Sequence, residues 1–151
     1  MKFNTQKKLR NEIIKQYDKH PEYIDVTNWD VSNVKTMKEM FYGCYSLKQI
    51  KGIENWDVSN VKDMHGMFYH CENLDQLDLT NWDVSNVEYM SWMFARCNNL
   101  DRLDLSKWDV SNVEYMYNMF YECPLEEQYG KDGVKLVEQQ IEKKQNKTMK
   151  M

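Results

Sequence analysis

The chain has 151 residues, a formal net charge of −4, 13% aromatic residues and a mean hydropathy of −0.82. That length suits one domain with a sizeable core, and the aromatic content excludes a disordered polar chain. Residues 24–125 carry sixteen acidic and eight basic groups, which excludes a nucleic-acid groove, and no run is apolar enough for membrane insertion.

The first residues, Met1 to Lys8, have the charge of a signal peptide's opening, but no apolar segment follows them. Export is therefore not expected, and a cytoplasmic location is favoured. Residues 5–18 place Leu9, Ile13, Ile14 and Tyr17 on one helical face, and Pro21 stops the helix, giving an N-terminal helical cap over residues 1–23.

Residues 24–125 are dominated by an internal repeat. Trp-Asp-Val-Ser-Asn-Val occurs at 29–34, 56–61, 82–87 and 108–113, and each copy is followed by Met-x-x-Met-Phe at 37–41, 64–68, 90–94 and 116–120. Each pentad leads to a cysteine (Cys44, Cys71, Cys97, Cys123), always 15 residues after the Trp. One extra residue lies between Cys44 and Trp56, and Gly52 suits the kink it implies. After Cys71 and Cys97 the alternation Leu77-x-Leu79 and Leu103-x-Leu105 predicts a short strand. Val87, Met90, Met93 and Phe94 have helical spacing, and Ser85 with Glu88, like Ser111 with Glu114, reads as a capping box. Residues 131–144 place Val134, Val137 and Ile141 on one face, so residues 126–151 read as a C-terminal helical cap and basic tail.

The expected fold is a repeat solenoid of α/β leucine-rich-repeat type, with four repeats of about 26 residues capped by helices at both ends. Leu-Asp-Leu-x-x-Trp-Asp-Val-Ser-Asn-Val-x-x-Met-x-x-Met-Phe-x-x-Cys-x-x-Leu resembles the repeat of BspA-like leucine-rich-repeat surface proteins, also described as the mycoplasma-type lipoprotein repeat. The resemblance runs from about Ile24 to Cys123. It implies a protein-binding role without enzymatic activity, cofactor or catalytic residues. Similar repeats also occur in virus-encoded proteins. An export signal, a lipid-attachment cysteine near the start and a wall-anchoring tail, frequent in such surface proteins, are not seen in this sequence.

The invariant positions have structural readings and chemical alternatives. The cysteines suit a buried thiol ladder, with disulfides or a metal as alternatives. The paired methionines suit the core, with copper(I) ligation as the alternative. The repeated Asp, Ser and Asn suit turn and cap hydrogen bonding, with calcium as the alternative. His20, His65 and His70 have no nucleophile or base paired with them, so catalysis is not expected.

Function is then expected where copies differ. Asp25, Asp78 and Asp104, with Glu54, form a candidate acidic stripe flanked by Thr27, Thr80 and Ser106. Tyr89, Trp92, Tyr115 and Tyr117 form a candidate aromatic patch in the last two copies, where earlier copies have Thr36, Asp63, Lys38 and Glu39. Aromatic clusters anchor protein interfaces, but the C-terminal cap could equally cover this one. A protein partner is the expected ligand. The alternative is a structural, self-associating protein.

Overall fold

The computed structural model describes residues 1–150. In chain order the elements are α1 (Gln6–Lys19), β1 (Tyr23–Asp25), β2 (Gln49–Lys51), a 3-10 turn (Ile53–Asn55), α2 (Glu126–Tyr129) and α3 (Val134–Met149). β1 and β2 form a two-stranded parallel sheet that sets Tyr23, Ile24 and Asp25 opposite Gln49, Ile50 and Lys51.

The expected repeat solenoid of strand, turn and helix is overturned by this element content. Between α1 and α2 the described residues contain no α-helix, and their only strands are β1 and β2, of three residues each. The Leu77–79 and Leu103–105 stretches are not strands. The fold is compact and globular, with one continuous core running from Phe3 to Leu136.

The reason lies in the backbone of the methionine segments. φ is positive two residues after each first methionine, at Glu39, Gly66, Trp92 and Asn118. It is positive again just before each cysteine, at Gly43, His70, Arg96 and Glu122. An α-helix cannot run through left-handed residues. The chain makes successive four-residue turns instead, Met40 N–H to Met37 O (3.1 Å) and Cys44 N–H to Phe41 O (3.1 Å) among them. The intervening N–H groups donate to the following copy: Met37 to Asp63 (2.8 Å), Glu39 to His65 (2.9 Å), Phe41 to Met67 (2.8 Å) and Gly43 to Tyr69 (3.0 Å). Copies two and three repeat the pattern. The predicted capping boxes do not form either, because the Ser85 N–H and Oγ both donate to Asp83 Oδ1 at 3.0 and 2.6 Å.

An arrangement of this kind leaves unpaired carbonyls on the first copy and unpaired N–H groups on the last. Side chains of α1 close the first edge. Gln6 Nε2 donates to Lys38 O (2.8 Å), and the Arg10 guanidinium donates to Glu39, Met40 and Tyr42 carbonyls at 2.5, 2.8 and 3.4 Å. The Gln16 amide donates to Asp25 O (2.7 Å) and accepts from Asp25 N–H (2.8 Å), standing in for a neighbouring strand. At the other end Gln140 of α3 does the same, donating to Trp108 O and accepting from Val110 N–H. Asn118 N–H donates to Asp132 Oδ1 (2.6 Å), and Phe120 N–H to Lys131 O (2.9 Å).

Equivalent side chains stack in the core. Phe41, Phe68, Phe94 and Phe120 lie with ring centroids 5.4 to 5.6 Å apart and planes within 9° of parallel, and Tyr129 of α2 closes the row 5.3 Å beyond Phe120. Trp82 Nε1 donates to Ile53 O (3.0 Å) and Trp108 Nε1 to Leu79 O (2.9 Å). The buried Trp56 Nε1 has no partner, and it directly follows the segment holding the extra residue. There Gly52 takes φ +91°, and a Cβ on it would stand 2.8 Å from the Thr27 backbone.

All four cysteines are buried, free thiols. Cys71 Sγ donates to Phe41 O and Cys97 Sγ to Phe68 O, both at 3.1 Å. Burial pushes Cys44 and Cys123 up to about 11, and Cys71 and Cys97 well above the ordinary thiol range.

Two outcomes follow from this packing. Arg10→Ala removes three donors to otherwise exposed carbonyl ends and should cost roughly 1–3 kcal/mol in urea unfolding. The thiols stay neutral when folded but ionise at ordinary values when unfolded. The thiols' contribution to stability should therefore be constant below their unfolded pKa of 9.0 and fall as pH rises towards about 11, as read by unfolding at stepped alkaline pH.

Candidate functional site

The four copies place their variable residues on the surface in register. Thr36, Asp63, Tyr89 and Tyr115, each just before a methionine, are joined by successive parallel bridges. Moving from the first copies to the last, this row changes from polar to aromatic. The Tyr89 and Tyr115 rings lie 5.3 Å apart and 4° from parallel.

Tyr89, Trp92, Tyr115 and Tyr117 line one open groove of about 540 Å³, together with His65 and Ser91. Tyr89 is 39% exposed, Tyr115 55% and Tyr117 60%, so α3 does not cover them. α3 instead meets the chain at Trp108–Val110, through Gln140, and at Ser106, through Lys143. The floor of the groove includes the buried Ser91, whose Oγ accepts the Tyr117 N–H at 3.1 Å. The Tyr89 phenol is pushed up by partial desolvation and then by the charges of Glu88 and Glu114, with Tyr115 and Asp63 contributing.

Sequence reasoning missed part of this surface. Tyr42, Tyr69 and Tyr121 each follow the pentad's Phe, and copy three has Ala95 at that place. Tyr42 and Tyr69 stack at 5.5 Å. Trp92 fills the gap that Ala95 leaves, 5.4 Å from Tyr69 and 5.9 Å from Tyr121. The signal was present as a Phe-Tyr dipeptide in three of the four copies. Its meaning was hidden because Trp92 comes from a different position of the repeat.

The acidic candidates do not join the groove. Asp25, Asp78 and Asp104 close tight turns, their Oδ1 atoms accepting the N–H of Thr27, Thr80 and Ser106 at 2.9, 3.0 and 2.9 Å. These hydrogen bonds hold all three carboxyls below the usual carboxylate range. The charges of Lys51 near Asp25, and of Lys107 and Lys143 near Asp104, act in the same direction. Glu54 lies in the 3-10 turn and lines a separate depression with Gln49, Lys51 and Asp78. The repeated Asp-Val-Ser turns are built alike, and Asn60, Asn86 and Asn112 each donate to a serine carbonyl of the preceding copy at 2.6 to 2.8 Å. Among the described residues no cluster of three His, Cys, Asp or Glu side chains is placed to hold a metal ion, and no helix is long and apolar enough to cross a membrane.

Fold and site together define a globular protein of register-stacked copies with one open aromatic groove. The chain belongs to the family described as Mycoplasma protein of unknown function, DUF285, whose profile matches residues 3–132. That span begins at Phe3, which pairs with Asp30, and ends at Asp132, which closes the last copy. No curated protein and no solved structure matches the chain.

If the aspartates serve their turns, Asp78→Ala should lower stability by about 1 kcal/mol, whereas Asp78→Asn, which keeps an accepting oxygen, should lose less. With folded pKa values depressed, this stability is present above the ordinary carboxyl value of 3.8 and lost as pH falls below it. Acid unfolding of the wild type and Asp78→Ala should therefore converge at low pH.

Proposed function

We propose that the chain is a non-enzymatic protein-binding module, akin in its repeat motif to the BspA-like surface proteins, and that its aromatic groove engages the partner. The observation that carries this reading is the groove itself: three half-exposed tyrosines and a tryptophan around one concavity. Rigid aromatic side chains supply much contact area at low entropic cost and recur as interface anchors. Their exposure has no part in folding, because the equivalent places in other copies hold Thr36, Asp63, Lys38, Glu39, Gly66 and Asn118 within the same backbone. The acidic stripe is the weaker candidate, since its carboxylates already accept turn hydrogen bonds.

The chain's own copies supply test variants that the backbone tolerates. Trp92→Gly installs the residue found at Gly66, at a left-handed φ that glycine adopts freely. Tyr115→Thr and Tyr117→Ser follow Thr36 and Ser91. Affinity capture from the native source should lose its specific partner with each variant while circular dichroism stays unchanged. Equal capture by wild type and all three variants would remove the groove from consideration.

A further inference from the structure

We infer that the groove takes a cationic segment of its partner, a peptide whose Lys or Arg side chains lie over the aromatic faces with their charge directed to the carboxylates beside them. This deepens the protein-binding reading above and rests on it.

The change from polar to aromatic along the copies is accompanied by a change of charge. Two residues before each first methionine stand Lys35 and Lys62 in the first copies, then Glu88 and Glu114 in the last two. Glu88 and Glu114 directly precede the stacked pair Tyr89 and Tyr115, and Glu114 N–H donates to Glu88 O at 2.8 Å, so the carboxylate-bearing residues run side by side. Asp63 is bridged to Tyr89 from the other side. Three carboxylates thus border the stacked tyrosines, and their charges all bear on the Tyr89 phenol.

These charges are not neutralised within the chain. The ion pairs among the described residues join Lys15 to Glu12, Lys48 to Glu22, His70 to Glu72 and Arg96 to Glu122. None uses Asp63, Glu88 or Glu114. Lys62, the nearest lysine in register, is exposed and forms no ion pair with Glu88. Of the groove's lining residues only His65 can carry a positive charge. Asp63 Oδ1 already accepts the His65 N–H at 2.9 Å, and the three carboxylates lie beside the groove's lining, not within it; a neutral or acidic peptide seated here would leave their charge unpaired. A cationic peptide compensates them, and it also meets the negative faces of the Tyr and Trp rings, which attract ammonium and guanidinium groups. The Lys and Arg stems supply the apolar contact that the rest of the groove requires.

The test is calorimetric titration of the full chain with three short peptides of one length. The first contains Lys and Arg, the second replaces them with norleucine and citrulline, and the third with Glu. The cationic peptide should bind about tenfold more tightly than the neutral one at low salt, and about 0.5 M salt should remove most of that advantage. Glu88→Gln and Glu114→Gln should abolish the advantage while leaving binding of the neutral peptide unchanged. Trp92→Gly should weaken both. Equal binding of the neutral peptide, tighter binding of the acidic one, or no binding of the cationic one overturns the cationic assignment. The groove's role in protein binding is read separately, from whether the copy-derived variants lose the native partner. A retained dependence on Trp92 there, with no preference among the peptides here, would sink the charge assignment alone.

Discussion

Everything in this structure depends on how the backbone of one methionine segment meets the next. Alternate N–H groups are committed to the following copy and the rest to local four-residue turns, so a copy cannot satisfy its own polar groups. That commitment requires left-handed residues at two places per copy, including bulky ones such as Trp92 and Arg96. Left-handed backbone carries a cost of about 1–2 kcal/mol for each non-glycine residue, and the inter-copy bonds and core burial offset it.

The two ends follow from the same constraint. In the methionine segments, where each copy donates to the next, the first copy is left with free carbonyls and the last with free N–H groups, and the groups supplied at the two ends have opposite chemistry. The donors Gln6 and Arg10 serve the first copy; the acceptors Asp132 Oδ1 and Lys131 O serve the last. Gln16 and Gln140 each use one amide both ways, in the manner of a peptide group. The terminal helices therefore act through particular polar atoms as much as through apolar faces such as Leu9 and Ile13.

The groove is a by-product of this regularity. With backbone and core set by invariant residues, surface positions vary within one backbone, and neighbouring copies bring like positions within about 5 to 6 Å of each other. An aromatic residue in one copy thus gains an aromatic neighbour in the next. Trp92 departs from strict equivalence by taking the room left by Ala95. Glu88 and Glu114, each next to a tyrosine in the chain, are brought side by side by the same register.

The amino-acid sequence by itself determined the number of copies, the buried positions of the methionine segments and the aromatic drift, because repetition is written in residue type and spacing, but it did not settle the C-terminal helix, where Val134 and Ile141 are about half exposed. Val87, Met90, Met93 and Phe94 are all buried as their spacing required. It could not separate a helix from a series of tight turns, since both return the chain to the same side about every third residue. That choice was made by hydrogen bonds to residues about 26 positions away, which exist only once the copies lie side by side. The same distance hid the roles of Arg10, Gln16 and Gln140, whose partners are some 9 to 32 residues off. It also hid the union of Tyr69, Trp92 and Tyr121 on one surface, because residues at unlike places in the repeat meet only through tertiary packing.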